Sequence, residues 1–371
     1  MIGIIRFWLS LLMMVSLIPS YSFNLEGFRS NLDLEALVLT REDEKNEAMD
    51  LIDTNFNLID NESIGSDNIE STSAGLTGLR VSGTKLVDGN GNIIQLKGVS
   101  THGIAWFPEY LNIDALKTLR DDWGINVIRI AMYPKEYGGY LNGGDKEVLK
   151  NTIDEGVRMA TTLGLYVIID WHVLNYNPND IKEAAVIFFK EMSLKYQGYE
   201  NVIYEICNEP VGADWTTQIK PYAESVISAI RENDSDALIL VGTNTWSQDV
   251  DDVVGNTLSD TNVCYTLHFY ASTHKETIQN KLKYAIDNGV PVFVSECSIC
   301  DASGFGDIDY TWANSWISLL NDNDISYIAW SLCNKDETSA LLKSSCTKLY
   351  GWTDEDYSET GKWFKQIMKS N

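Results

Sequence analysis

The chain has 371 residues, 44% hydrophobic and 11% aromatic, enough for one large core or two smaller ones. Its formal net charge is −25. So acidic a surface repels phosphate backbones and anionic membranes, which argues against nucleic acid and membrane partners and leaves a neutral polymer such as a polysaccharide open.

The N-terminus reads as a targeting segment. Arg6 supplies a positive charge, Phe7 to Ile18 form a short apolar run, and Ser20-Tyr21-Ser22 offers a small-x-small cleavage site. The run falls short of the roughly 20 apolar residues needed to span a bilayer. Residues 1–22 are therefore expected to be a signal peptide, and the product a secreted, extracellular protein. Residues 23–77 are acidic and poor in aromatics, the composition of a disordered leader or linker. Asn61-Glu62-Ser63 and Asn233-Asp234-Ser235 are glycosylation sequons.

Regular patterning begins near residue 78 and continues to 371. Leu79–Val87 and Ile93–Gly98 flank Asp88-Gly89-Asn90-Gly91, a hairpin signal. Eight strand-like runs follow: Gln95–Thr101, Asn126–Met132, Tyr166–His172, Val202–Asn208, Ala237–Thr243, Val263–Tyr270, Pro291–Cys297 and Ser326–Leu332. Amphipathic stretches near 113–122, 145–163, 179–196, 214–232, 274–288 and 307–321 alternate with them, and 357–369 follows the last; the 243–262 connection has only a weak helical signal. Alternation of this kind predicts an α/β fold, a (β/α)8 TIM barrel preceded by an N-terminal β-hairpin. An open doubly wound sheet is disfavoured because no glycine-rich phosphate loop follows any strand.

In such a barrel chemistry sits at the carboxyl ends of the strands. Those ends supply His102, Arg129, Asp170-Trp171-His172, Asn208-Glu209, Trp246, His268-Phe269-Tyr270, Glu296 and Trp330. The stretch Asn208-Glu209-Pro210 is the most telling. An apolar strand ends in an amide and a carboxylate, and the proline forces the chain to turn away there. Singly, each residue has a structural explanation: a buried ion pair, a satisfied core histidine, a tryptophan plugging the barrel. Together they form one rim carrying two glutamates, and tryptophans that can stack on pyranose rings. Cleavage of a glycosidic bond needs such a pair, one carboxyl protonated to assist the leaving oxygen and the other ionised. Arg129 is placed to hold the second ionised, and Asn208 to bond a sugar 2-hydroxyl.

The sequence resembles glycoside hydrolase family 5, the barrel glycosidases typified by bacterial endo-β-1,4-glucanases. The likeness runs from Leu79 to Asn371 through L-R-V-S-G-T-K-L-V-D, D-D-W-G-I-N-V-I-R (121–129), Y-V-I-I-D-W-H (166–172) and V-I-Y-E-I-C-N-E-P (202–210). It continues through G-T-N-T-W-S-Q-D (242–249), Y-T-L-H-F-Y-A (265–271), F-V-S-E (293–296) and I-A-W-S-L (328–332). The resemblance implies Glu209 as acid/base and Glu296 as nucleophile of a retaining, cofactor-free hydrolase, with a β-glucan polysaccharide as substrate. It implies His102, Arg129, Tyr133, His172, Asn208, His268 and Tyr270 around the cleaved sugar. Trp106, Trp246 and Trp330 become sugar platforms, and Lys335 and Glu337 contacts on the non-reducing side. Two places depart from the family pattern: Cys297-Ser298 stand where an aromatic and a glycine usually follow the nucleophile, and Cys333-Asn334 replace a Ser-Asp pair. A β-mannanase or other β-1,4-glycanase is the alternative within the family.

Of the six cysteines, Cys207 and Cys264 lie within strands and read as buried thiols. Cys297, Cys300, Cys333 and Cys346 fall around the ends of the last two strands, where one or two disulfides are expected in a secreted chain. The rival from another class is a metal-dependent hydrolase built on His102, His172 and His268, but the first strand lacks the early His-x-His pair such barrels carry. No metal and a monomeric state are the expectations.

Overall fold

The computed structural model describes residues 75–369. The expected signal peptide, the Asn61 sequon and all but the last three residues of the 23–77 leader lie outside the described residues.

The described chain opens with β1 (Arg80–Ser82) and β2 (Lys85–Val87), an antiparallel pair closed by Gly83-Thr84 with Gly83 at φ 62°. The hairpin is present, with its ladder inside the first apolar run. Asp88–Gly91 makes a second reversal instead: the Asp88 carboxylate accepts from the N–H groups of Asn90 and Asn92, and Ile93 returns to a single bridge opposite Val87. The reason lies in packing. Leu79 and Leu86 are buried against the lower interior of the barrel with Val127, Ile168, Ile203, Leu240 and Phe293, so the hairpin closes the barrel floor. Tyr166 donates its hydroxyl to the Thr77 carbonyl at 2.8 Å, and Asn262 holds the Leu79 carbonyl and the Val81 N–H.

Eight parallel strands follow: β3 (Lys97–Thr101), β4 (Val127–Met132), β5 (Tyr166–Trp171), β6 (Val202–Glu205), β7 (Ile239–Gly242), β8 (Val263–Tyr270), β9 (Val292–Ser298) and β10 (Tyr327–Leu332). They close in the order β10-β3-β4-β5-β6-β7-β8-β9. The helices between them are α1 (Ile113–Thr118), α2 (Lys146–Leu163), α3 (Lys182–Lys195), α4 (Lys220–Arg231), α5 (Glu276–Asp287) and α6 (Tyr310–Asp322), with α7 (Glu359–Lys369) after β10. Their limits follow local chemistry. In α2 the Asp145 carboxylate accepts from the N–H groups of Glu147 and Val148, and Gly164 at φ 68° ends the helix. Between β7 and β8 the weak helical signal resolves into short turns, Asn244–Ser247 and Val250–Val253.

Two apolar regions result from the two-residue alternation along each strand. One side of each strand packs on the helices: Ile128, Ile130, Val167, Ile169, Trp171 and Tyr204 belong to the large outer core. The other side points into the barrel, apolar at the floor and polar above it, where Ser100, Arg129, Asp170, Glu205, Thr266 and Ser295 are all fully buried. A core this polar in its upper half is organised for a site, because each buried charge there has to be paired.

All six cysteines are free and buried, so the expected disulfides do not form. Each sulfur near the last strands is satisfied locally. Cys297, inside β9, donates to the Ile328 carbonyl at 3.4 Å; Cys300 bonds Ser298 at 3.5 Å, Cys333 bonds Ser331, and Cys346 donates to the Lys348 carbonyl. Burial pushes the Cys300 and Cys333 thiols up to about 11. Asn233 sits just beyond α4, its amide donating to Lys190 O and Ser193 Oγ.

Candidate active site

At the centre of the upper barrel Arg129 projects from β4 with no exposure to solvent. Its Nε and Nη2 donate to the two oxygens of Glu205 at 2.7 and 3.1 Å, and Nη2 also meets Asn208 Oδ1 at 2.7 Å and Asp170 Oδ2 at 3.0 Å. Nη1 reaches Ser100 Oγ and Glu296 Oε2, both at 3.3 Å. One guanidinium thus serves three carboxylates. The arginine does touch Glu296, as its sequence position implied, but its tightest partner is Glu205. Glu296 has a closer donor in Tyr270, whose hydroxyl lies 2.8 Å from Oε1. Burial and the Glu296 charge keep that phenol protonated, hence a donor.

The second glutamate is held differently. Glu209 Oε1 lies 3.0 Å from His268 Nδ1, and His268 Nε2 lies 2.9 Å from Ser295 Oγ. Ser295 donates its own proton to Glu205 Oε1 at 2.7 Å. That order fixes the histidine tautomer: Ser295 must accept from Nε2–H, which leaves Nδ1 as an acceptor facing Glu209. Burial holds the imidazole neutral, lowering its pKa to about 4. A neutral acceptor beside Glu209 favours the protonated carboxyl, and burial raises that carboxyl to about 8. Glu296 is raised to about 7 by burial and by the Glu209 charge, opposed by His268, Arg129 and the Tyr270 hydrogen bond, which favour its charged form. Glu209 thus faces a neutral histidine, whereas Glu296 faces a guanidinium and a phenol donor.

Glu209, His268 and Glu296 bring one oxygen or ring nitrogen each within 4.8 Å of one another. They are a poor metal set, since both His268 nitrogens are already committed to Glu209 and Ser295. Nor do His102, His172 and His268 share a centre among the described residues. His172 turns Nδ1 to Asp170 at 2.6 Å and Nε2 toward Asn208, while His102 Nδ1 accepts from the Gly103 N–H.

Above the pair opens a cleft of about 660 Å³. Trp106 and Trp246 are 38% and 40% exposed, whereas Trp330 is buried at the floor, its ring 5.1 Å from that of His172. Trp246 is presented by an unusual backbone: Thr245, Trp246 and Ser247 all lie near φ 55°, a left-handed turn of three non-glycine residues. Strain of this kind persists where surrounding bonds over-determine it. Ser247 Oγ donates to Asn208 O at 2.6 Å, and the indole N–H of Trp246 bonds Asn175 Oδ1. On the Glu296 side Lys335 is pinned by Glu337 at 2.6 Å, and Glu337 by Ser339.

A family model described as cellulase (glycosyl hydrolase family 5) matches residues 87–336. The chain belongs to glycosyl hydrolase family 5. It is 47% identical over 292 residues to an endoglucanase of Clostridium saccharobutylicum, covering 78% of this chain and 64% of that protein. To endoglucanase A of Butyrivibrio fibrisolvens it is 47% identical, covering 77% and 67%. The chain thus spans about two thirds of the length of these relatives. Among solved structures, the endoglucanase catalytic domain of Thermobifida fusca, in complex with cellotetraose, aligns with TM-score 0.75 and 34% identity over 79% of this chain and 97% of that one.

In this family 5 chain the cleft surface gathers His102, Trp106, Tyr133, His172, Glu209, Trp246, His268, Tyr270, Glu296, Trp330, Lys335 and Glu337. Arg129 and Asn208 are brought to the site but lie behind its surface. Asn208 spends its amide on protein: Oδ1 accepts from Arg129 and Nδ2 donates to the Val173 carbonyl at 3.0 Å. Sequence reasoning missed Glu205 and Ser295, the two groups that orient His268 against Glu209. A glutamate inside the apolar run Val202–Ile206 was the available signal. Asn175 and His274 also line the cleft unforeseen; asparagine's tolerance of positive φ (57° here) is a signal for the first.

Proposed function

We propose that the protein is a secreted, retaining endo-β-1,4-glucanase that hydrolyses internal bonds of cellulose and related β-glucans. The observation that carries the mechanism is the separation within the pair: an oxygen of Glu209 and one of Glu296 lie within 4.8 Å. Carboxyls roughly 5–5.5 Å apart attack the sugar directly, whereas a gap of about 6.5–9.5 Å accommodates a water. In the first step the Glu296 carboxylate attacks the anomeric carbon while Glu209 gives its proton to the leaving oxygen, producing a glycosyl-enzyme. In the second Glu209, now a base, takes a proton from water, which displaces Glu296. His268 receives the Glu209 carboxyl hydrogen bond in the resting state and so keeps the acid protonated and aimed. Tyr270 donates to Glu296, restraining the carboxylate until it bonds carbon.

The substrate assignment draws on the relatives, each named an endoglucanase, and on the exposed indoles of Trp106 and Trp246 in the same cleft. Proton NMR of the earliest products tests the mechanism: the β-anomer is expected first, and an initial α-anomer means inversion. Viscosity of a soluble cellulose derivative is expected to fall well before reducing ends accumulate; release of sugar in step with viscosity loss means exo action.

Export rests on Arg6, the apolar run to Ile18 and the Ser20-Tyr21-Ser22 site. The exported chain is expected to start at Phe23; a mature protein still carrying Met1 contradicts this.

A further inference from the structure

The segment 299–309, between β9 and α6, supplies Ala302, Ser303 and Gly304 to the cleft wall. Its next residue, Phe305, is 59% exposed. The backbone beneath that ring is fixed from several directions. Asp301 Oδ1 accepts from Ser303 N at 2.8 Å, the Gly304 carbonyl accepts from Ser339 N at 3.0 Å, and the Phe305 carbonyl accepts from Thr338 Oγ1 at 2.8 Å. Gly304 at φ 80° makes the reversal that lifts the ring outward. The ring also has a cationic neighbour, Lys335 Nζ, 5.6 Å from its centroid. Lys335 is itself pinned to Glu337, whose side chain is 4% exposed and bonded to Ser339. An aromatic ring thus stands in solvent at the lip of the cleft, on a preordered backbone and beside two polar residues of the cleft wall.

Exposure of a large apolar ring has a cost in water that binding can recover. A β-1,4-linked glucosyl unit offers a matching surface, because its equatorial hydroxyls leave two faces of axial C–H bonds. With the backbone already ordered, stacking loses little conformational entropy. We propose that Phe305 is an outer glucosyl-stacking platform that lengthens the cleft beyond Lys335 and Glu337, so that longer chains are bound and cleaved better than short ones. The inference rests on the glucanase reading and assigns a substrate-binding role to a residue outside the cleft already described.

The test is kcat/KM over a ladder of cello-oligosaccharides, from the shortest cleaved to cellohexaose, for the full protein and its Phe305→Ala and Phe305→Trp variants. Thermal melts serve as the fold check. The parent gains at the oligomer long enough to reach the ring. Phe305→Ala is expected to lose about five- to tenfold more on that oligomer than on shorter ones, mainly through KM; Phe305→Trp is expected to keep the gain. Equal increments along the ladder in parent and Phe305→Ala overturn the proposal, as does a uniform loss at every length. Absence of turnover by the parent on every oligomer removes the glucanase reading and this inference with it.

Discussion

Replacing Glu296 by alanine is expected to abolish turnover on every substrate, by a factor on the order of 10⁴ or more, because the proposed mechanism forms its glycosyl-enzyme on this carboxylate. Glu205, another carboxylate bonded to the same guanidinium, is fully buried and already held by Arg129 and Ser295. Glu209→Ala is expected to behave differently. With an aryl cellobioside whose leaving group needs no proton, the first step survives and the intermediate accumulates. Azide, entering the space left by the carboxyl, then accelerates the second step and appears in a β-glycosyl azide product. Rescue of Glu296→Ala rather than Glu209→Ala to a β-azide would exchange the two roles.

The pH profile follows from the same pair. On the proposed assignment, productive enzyme has Glu296 ionised and Glu209 protonated. As pH falls, Glu296 takes a proton and the nucleophile is lost; as pH rises through about 8, Glu209 loses its proton and the acid is lost. Burial raises both groups above the usual carboxylate range, so both limbs of the kcat/KM bell are displaced upward, and the two apparent values belong to the coupled pair. The basic limb is expected to flatten on the activated aryl glycoside. A basic limb unchanged between the two substrate types contradicts Glu209 as acid.

The second large effect concerns stability. Arg129→Met is expected to destabilise the barrel by about 3–5 kcal/mol, the scale on which removing one member of a buried ion pair leaves an unpaired charge. Here the cost falls on several groups at once. Glu205 loses both bonds to the guanidinium, Asp170 keeps only His172 and already has one buried oxygen without a partner, and Asn208 loses its acceptor contact. Glu205→Gln is expected to cost less, since a neutral amide needs no counter-charge. Leucine at 205 combined with methionine at 129 is expected to recover part of the loss through a non-additive term in the double-mutant cycle. Urea melts provide the measurement, and a loss below about 1 kcal/mol for Arg129→Met would show that the buried charges do not depend on it.

Much of this protein was legible in its sequence, for physical reasons. Strands of a parallel barrel are buried on both faces and so mostly apolar, and their helices carry a regular apolar stripe, so the eight runs and the crossovers between them stood out. Residues such as Glu209 and Glu296 were conspicuous because a carboxylate near the end of an apolar strand is poorly explained by packing, and two of them met at one rim. Other features belonged to the tertiary structure. The four cysteines near the last strands are compatible by spacing with bridges, yet local packing buries each sulfur beside its own hydroxyl or carbonyl partner. The left-handed turn that presents Trp246 is imposed by Ser247 reaching back to Asn208.

The clearest case is β9. Simple alternation along Val294-Ser295-Glu296 would put Ser295 and Glu296 on opposite faces. In the barrel Thr266 pairs with Phe293 but His268 with Glu296, so β9 spends one residue more than β8 over the same span. That bulge turns both side chains inward: Ser295 to His268 and Glu205, Glu296 to Arg129 and Tyr270. The sequence by itself marked Glu209 and Glu296 as rim carboxylates, because apolar patterning and chain turns are local properties, although β6 itself ends at Glu205 and β9 runs on to Ser298. The partners that set the protonation of each were decided by the folded barrel alone, through contacts 26 to 167 residues apart in the chain.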